Sequence, residues 1–165
     1  MPYPDDLLEQ AKHLANRERT RPRQASLRRA VSTAYYALFH LLVREATLNW
    51  KRADQRALFA RFFEHGKMKA ASEKRLGEIS AYFKTNPPQG HDFDCATHLG
   101  RVTDAFSQAQ QLRHSADYDN SRIWQRGDVQ KLIDRVEAAF QSWHRIREEP
   151  AAQSYLISLL GNPKG

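Results

Sequence analysis

The sequence predicts an all-α protein that folds as an antiparallel helical bundle of about five to six helices. Apolar residues recur at the three- and four-residue spacing of a helix face along most of the 165-residue chain. Glycine and proline are rare inside these periodic segments, and no stretch alternates apolar and polar residues as a half-buried strand does. The length fits one domain, which we place at residues 1–149, followed by a C-terminal tail at residues 150–165.

The first two predicted helices lie at residues 5–16 and 26–50. Pro4 suits the entry of the first helix, and Ser26 is a residue type that caps the second. Residues 17–24 are predicted to form the loop between them. The second helix has the most regular pattern in the chain, and its apolar face contains Leu27, Ala30, Ala34, Leu38 and Leu41.

A short third helix and a longer fourth helix come next. Asp54 is the predicted cap of the third helix and Gly66 its predicted end, and the fourth helix is predicted at residues 68–83. The clearest break in the chain is Asn-Pro-Pro-Gln-Gly at residues 86–90. The residue before a proline is disfavoured in a helix, and glycine leaves a turn freely. We interpret this break as a hinge between helices within one domain.

The last part of the bundle is predicted to contain two long helices. They lie at residues 92–116 and 126–148, and Pro150 ends the second. The tail that follows has one more apolar patch. We expect this patch to dock either on the bundle or on a partner protein through Tyr155, Leu156, Leu159 and Leu160.

The net charge of +7 is concentrated in the first half of the chain. Residues 1–75 contain 16 Lys and Arg against 8 Asp and Glu, whereas residues 76–165 contain 10 against 11. Six arginines lie between Arg17 and Arg29. Because arginine pairs bidentately with phosphate, this segment can hold RNA or a nucleotide. The alternative is a solvated loop that only keeps the protein soluble.

The cysteine count and the N-terminus predict a cytoplasmic protein. Cys95 is the only cysteine, so an internal disulfide is impossible. The first ten residues have acids where a signal peptide would have basic residues and an apolar core. No apolar run is long enough to span a bilayer, so no membrane association is expected.

The second helix has a polar face opposite its apolar one. At 100° per residue this face is rich in Ser, Thr, Tyr and His with arginine at both ends, a composition that suits the wall of a cleft or a polar dimer interface. The alternative is a half-buried face whose hydroxyls bond neighbouring backbone. The residues on this face are Arg29, Ser32, Thr33, Tyr36, His40 and Arg44.

A second group of polar residues lies near the end of the long helix at residues 92–116. If the helix continues, Arg113, Asp117, His114 and Tyr118 fall at 0°, 40°, 100° and 140° around its axis. All four are then predicted to project from one side, towards the polar face of the second helix. Arg113 with Asp117, and His114 with Tyr118, also have the spacing of ordinary surface pairs, which is the structural alternative.

Two segments together resemble a known family. Residues 28–40 contain Ser-Thr-Ala-Tyr-Tyr-Ala-Leu-Phe-His and resemble the Ser-x-Ala-Tyr-Tyr-Ala-x-Phe-His helix of bacterial HEPN proteins. Residues 112–119 resemble the Arg-x-x-Ala-Asp-Tyr motif of their later long helix. Between them, Glu64-His65-Gly66-Lys67 falls where related sequences often have a His-Lys or His-Gly step. The resemblance covers roughly residues 24–145.

This resemblance implies a helical bundle, often a homodimer, with a polar cleft along the dimer interface. Many such proteins are toxin-like ribonucleases or partners of small nucleotidyltransferases. The ribonuclease branch has an arginine, four to six intervening residues and a histidine, whereas Tyr118 stands at that offset from Arg113 here. Since the unperturbed pKa of tyrosine is about 10, it is poorly suited to take a proton near neutral pH.

The leading hypothesis is therefore an HEPN-like protein that binds RNA or a nucleotide, as the toxin-like component of a two-component or defence system. Its predicted ligand-binding residues are those of the polar face from Arg29 to His40, together with Asp117. The first alternative is a metal-independent endoribonuclease that uses Arg113 with Tyr118 and a non-standard base, His114 or His40. The second is a non-catalytic helical adaptor that docks through residues 155–160.

One further group has the spacing of metal ligands. His91, Cys95 and His98 are separated by four and three residues, so they can share one helical face. No second cluster completes a four-ligand site, and a helix N-terminus attracts acidic residues without any metal. We therefore expect neither a metal nor a cofactor.

Overall fold

The computed structural model describes residues 1–164, which form seven α-helices, a short 3-10 turn at Ala53–Gln55 and no β-strand. The chain is thus an all-helical bundle, as the sequence predicts. It has one more helix than the six expected at most, because the tail also forms a helix. The helices are α1 Tyr3–Ala15, α2 Gln24–Leu48, α3 Arg56–Ala60, α4 His65–Thr85, α5 His91–Tyr118, α6 Arg126–Ile146 and α7 Pro150–Ser158.

Helix α2 is the centre of the bundle. It packs against α1, α5 and α6 along its length and contacts α3 and α7 near its end. Sixteen of its 25 residues are buried, including small residues such as Ala30, Ala34 and Ala37 that let neighbouring helices approach closely. Each fully buried Leu or Val on α2 contributes about 1.5–3 kcal/mol. Because the other helices cover most of α2, one narrow strip of it faces outward. The residues of this strip are Arg29, Thr33, Tyr36, His40 and Arg44.

The region around residue 66 differs from the sequence prediction. Gly66 does not end α3; it is the second residue of α4, which begins at His65. Glycine weakens a helix interior, but the first turn tolerates it because its N–H groups have no intrahelical partner. Helix α3 already ends at Ala60, and residues 61–64 form a turn that leads directly to His65. The predicted break at residues 86–90 is present, and Gly90 there has a φ of 96°.

The C-terminal tail docks on the bundle through α7. Tyr155 is fully buried, and its hydroxyl lies 2.6 Å from Oγ of Ser72 on α4. Leu156 and Leu159 are buried beside it, whereas Ile157 is 72% exposed. Most of the apolar patch predicted for the tail is therefore buried within the protein.

Two arginines donate hydrogen bonds to backbone carbonyls at or just after the C-terminal ends of helices. Arg28 on α2 donates to the carbonyls of Ala116, Asp119 and Arg122, just where α5 ends. Arg126 donates to the carbonyls of Ala15, Glu18 and Arg19, just where α1 ends. These carbonyls lack helical partners, so the guanidinium groups supply the missing donors.

Within residues 1–164 no helix combines the length and the apolar character needed to cross a membrane.

Candidate functional site

The site is built around Arg113, which α5 directs towards α2. Its guanidinium carbon lies 5.2 Å from the ring centroid of Tyr35 and 5.6 Å from that of Tyr36. The side chain is only 12% exposed, and its Nη1 is 3.5 Å from a carboxylate oxygen of Asp117. Its Nε is buried without a hydrogen-bond partner among residues 1–164. Arg113 is therefore held by two aromatic faces and one long ion pair, which leaves much of its donor capacity unused.

Asp117 connects α5 to α2. Its other carboxylate oxygen accepts a hydrogen bond of 2.5 Å from the Ser32 hydroxyl. Ser32 is 4% exposed, so this bond forms at the buried edge of the α2 strip. A short bond to a charged acceptor is stronger than a neutral one. Asp117 is thus fixed by Ser32 on one side and faces Arg113 on the other.

His65, the first residue of α4, completes the inner wall of the site. Its ring stacks on Phe39 at a centroid distance of 4.4 Å, and its Nδ1 is 2.5 Å from the Tyr35 hydroxyl. Burial lowers the pKa of His65, and the charges of Arg113 and His40 lower it further. Burial also raises the pKa of Tyr35, partly opposed by Arg113, so the hydroxyl keeps its proton. In the tautomer of neutral His65 with its proton on Nε2, Nδ1 accepts from the Tyr35 hydroxyl and Nε2 keeps an N–H for another acceptor.

The outer part of the strip is aromatic and half-buried. His40 lies 6.2 Å from Tyr36 and 5.1 Å from Tyr3 of α1, measured between ring centroids. Burial lowers the pKa of His40. Tyr36 and His40 keep part of their surface open to solvent, and Tyr3 is 59% exposed. Open aromatic faces beside a cation form a surface on which a base can stack.

The remaining predicted residues do not all join this cluster. Thr33 is half-buried and Arg29 is exposed on the same strip of α2. His114 and Tyr118 pair with each other at a centroid distance of 4.9 Å, and Tyr118 is 68% exposed. Arg113 and His114 lie 100° apart around the helix axis. Arg113 and Asp117 therefore point inward, towards α2, whereas His114 and Tyr118 point outward.

Sequence reasoning missed Tyr35 and His65 as site residues. Tyr35 belongs to the apolar repeat of α2, and nothing in the repeat shows that its hydroxyl reaches a residue 30 positions away. His65 lies within the Glu64-His65-Gly66-Lys67 segment of the family resemblance, which was the available signal. Its role depends on α4 beginning at residue 65 instead of at the predicted residue 68.

The arginine-rich loop at residues 16–23 lies at the N-terminal end of the α2 strip. Its arginines at positions 17, 19, 21 and 23 are exposed. The loop backbone is held by Arg126, and Ser26 donates to Glu18 at 2.8 Å, which lowers the pKa of that carboxyl group. Among the described residues 1–164, Arg28 is the one arginine of this segment whose side chain donates to backbone carbonyls.

The three spaced residues at the start of α5 line one cavity but do not share a partner. His91 pairs with Glu149 at 3.0 Å, Cys95 is buried, and His98 Nδ1 lies 3.0 Å from the Ser142 hydroxyl. No group of three or more His, Cys, Asp or Glu residues in the described part of the chain is arranged to hold a metal ion.

Neither a family model, nor a curated protein, nor a solved structure matches this chain.

Proposed function

We propose that the protein is HEPN-like and binds RNA or a nucleotide through the cluster of Arg113, Tyr36, His40 and His65. The observation that carries this proposal is the environment of Arg113. A guanidinium that is nearly buried, contacts two tyrosine rings and is only loosely paired with Asp117 through Nη1 keeps the N–H groups of Nη2 for an incoming acceptor, whereas its buried Nε is out of reach. Phosphate oxygens match the geometry of such a group, and a pre-oriented side chain loses little entropy on binding.

The surroundings of Arg113 favour a ligand that has both a phosphate and a base. In the tautomer with its proton on Nε2, His65 offers a second donor, and the half-buried rings of Tyr36 and His40 offer stacking faces. The exposed arginines of the loop at residues 16–23 extend the positive surface along the same strip of α2. Together these features suit an RNA strand that runs from the loop towards His40.

Binding of a labelled single-stranded oligoribonucleotide tests the proposal. We expect Arg113→Ala to weaken binding by about tenfold or more, since a charge-assisted hydrogen bond is lost. Tyr118→Phe should have a smaller effect, because Tyr118 points outward. Arg101→Ala is the matched control, since Arg101 is an exposed arginine on the same helix. Equal affinities for the Arg113→Ala and Arg101→Ala variants would contradict the proposal.

The contribution of the loop is tested by its salt dependence. Replacing Arg19, Arg21 and Arg23 with Ser should weaken RNA binding and lower the slope of log K against log salt by about 2, at about 0.7 per phosphate contact. Loop arginines that only keep the protein soluble would leave both the affinity and the slope unchanged.

We also propose that the protein forms a homodimer in which the polar strip of α2 lines an open cleft between the two copies and so stays accessible to RNA. In this proposal the protein is the toxin-like component of a two-component or defence system, with a small nucleotidyltransferase as a candidate partner. The strip is weakly charged between Arg29 and Arg44, which suits pairing of two copies. Light scattering at micromolar concentration should give about twice the 19.1 kDa monomer mass. A monomer mass would contradict the dimer.

A metal-independent endoribonuclease is the second candidate, favoured by the position of His40. Burial lowers the pKa of His40, so its neutral ring can accept the proton of a 2′-hydroxyl, while Arg113 and His65 donate to the phosphate. Cleavage of RNA in the presence of EDTA, abolished in both His40→Ala and Arg113→Ala, is the expected result. His114→Ala should keep the activity, because His114 is exposed beside Tyr118.

A further inference from the structure

A second group of cations lines a cavity between α5, α6 and the linker that joins them. The cavity has a volume of about 220 Å³. Leu112 and Leu132 line it, and Leu132 is 3% exposed. Three cations also line the cavity, namely the half-buried Arg122 and the exposed Lys131 and Arg135.

None of these three cations is neutralised within the described part of the chain. Arg122, Lys131 and Arg135 form no ion pair with a carboxylate among residues 1–164. Asp128 is the one carboxylate that lines the cavity, so three positive charges against one negative leave a charge of +2. Cations that converge on one cavity repel each other unless an anion lies between them.

Arg122 is held in place before any ligand arrives. Its guanidinium carbon lies 3.9 Å from the ring centroid of Trp124, which is 2% exposed. Its carbonyl accepts a 2.6 Å hydrogen bond from Arg28, and both the N–H and the carbonyl of Trp124 bond the side-chain amide of Gln24. The linker that carries Arg122 is therefore fixed to α2. A guanidinium stacked on an aromatic face keeps its N–H edge available for an acceptor.

We propose that this cavity binds the phosphate group of a ligand with a small apolar body. A phosphate monoester carries a charge of about −1.5 to −2 at pH 7, which matches the +2 of the cavity. Its oxygens can accept from Arg122 and Arg135 while Lys131 supplies a point charge. The apolar body contacts Leu112 and Leu132. This site does not depend on the function proposed for the Arg113 cluster, since none of its seven lining residues belongs to that cluster.

Calorimetric and NMR titrations with phenyl phosphate and inorganic phosphate test the proposal. Phenyl phosphate should bind roughly tenfold more tightly than inorganic phosphate, as expected when about 50 Å² of apolar surface leaves water. It should also shift the indole signal of Trp124, whose ring lies under Arg122. An absence of saturable binding, or equal affinities for the two probes, would overturn the proposal.

The double variant Lys131→Gln with Arg135→Gln should weaken phenyl phosphate binding by at least about tenfold. Its matched control is Lys84→Gln with Arg101→Gln, which removes two exposed cations that do not line the cavity. An equal loss in both double variants would show only nonspecific attraction and would overturn the site. Unchanged thermal unfolding of each variant verifies that the fold is kept.

The same variants distinguish the two sources of the phosphate. If the cavity holds a phosphate of an RNA strand, the Lys131→Gln and Arg135→Gln variant weakens oligoribonucleotide binding as well as phenyl phosphate binding. If it holds a free phosphorylated molecule, RNA affinity stays the same while phenyl phosphate binding is lost. Loss of RNA binding in Arg113→Ala with intact phenyl phosphate binding would show that the two sites are independent.

Discussion

Each end of α5 carries a group of polar residues at helical spacing, but the C-terminal group forms a cluster and the N-terminal group does not. At its N-terminal end, His91, Cys95 and His98 share a helical spacing, yet their side chains have separate partners on other elements. At its C-terminal end, Arg113 and Asp117 meet Tyr36 and Ser32 of α2, and His65 of α4 lies against the same rings. Both groups have helical spacing, so they differ in the elements that pack against them.

A cluster forms where three helices converge. The C-terminal half of α5 packs along the edge of the outward strip of α2, at Ser32 and Tyr36, and α4 begins at the same point. The N-terminal end of α5 faces residues such as Glu149 and Ser142, which satisfy its histidines one at a time. A polar residue whose donors and acceptors are all satisfied by neighbouring residues stabilises the fold. A residue such as Arg113, some of whose donors are unpaired, keeps the capacity to bind a ligand.

The largest effect is expected for Arg28→Ala, which removes the donors that hold the C-terminal end of α5. Three backbone carbonyls lose a charged partner, so the free energy of unfolding should fall by roughly 2–4 kcal/mol. Urea unfolding measures this change. Arg29→Ala is the control, because the neighbouring arginine is exposed and its replacement should change stability by no more than about 0.5 kcal/mol. Similar losses of unfolding free energy in both variants would show that Arg28 contributes no more to stability than the exposed Arg29 does.

A smaller effect is expected for Tyr35→Phe, which keeps the buried ring and removes only the hydroxyl that bonds His65. The loss should be about 1 kcal/mol, the net value of one hydrogen bond with a buried acceptor left unpaired. The same variant frees Nδ1 of His65, so the tautomer signals of that ring should change in NMR. If the histidine signals stay the same, the hydrogen bond between Tyr35 and His65 does not form in solution.

The pH dependence of stability should follow His40, His65 and His98, whose pKa values are lowered, with a small opposing contribution from His91. The pKa values of His40 and His65 are lowered in the folded protein, so the unfolded chain binds more protons as the pH falls through 6.5. Stability should therefore decrease between pH 7.5 and pH 5.5, and His65→Gln should flatten this decrease. The pKa of His91 is raised by Glu149, so His91→Gln should instead steepen the decrease slightly. A flatter curve in His91→Gln would contradict this assignment.

The smallest effects are expected at the N-terminal end of α5 near neutral pH. His91 is largely exposed, and an exposed ion pair is screened by water and salt. His91→Gln should leave the melting temperature at pH 7.5 unchanged. Added Zn²⁺ should likewise leave it unchanged, because bound metal would stabilise the folded state in proportion to its affinity. A rise of the melting temperature with Zn²⁺, lost in His98→Ala, would show that the N-terminal end can assemble a site.

Periodicity predicts most of the fold because burial acts along each helix separately. Residues such as Ala30, Ala34 and Leu38 have the same spacing whatever helix covers them, and all three are fully buried. The helix starts were harder to predict, as His65 shows. A glycine next to it indicates a break in isolation, but the first turn of a helix accepts glycine when the following residues pack well.

The site is less predictable because its contacts join distant positions. The hydroxyl of Tyr35 bonds a residue 30 positions later, and Ser32 bonds Asp117, which is 85 positions later. A helical wheel places Arg113 and His114 100° apart, but it cannot show which of them faces α2. The docking of α5 on α2 decides this, and it depends on all the apolar residues of both helices together.

The three bonds of Arg28 also have a kinetic consequence. They join residues separated by 88, 91 and 94 positions, so the loop of chain between them must close before any of the three can form. Bonds of such long range are expected to form late in folding, after α2 and α5 have docked. Late contacts govern how fast a protein unfolds rather than how fast it folds. Arg28 thus stabilises the native state more than it stabilises the transition state for folding. Its replacement should increase the unfolding rate and so shorten the lifetime of the native bundle, while the folding rate stays nearly the same.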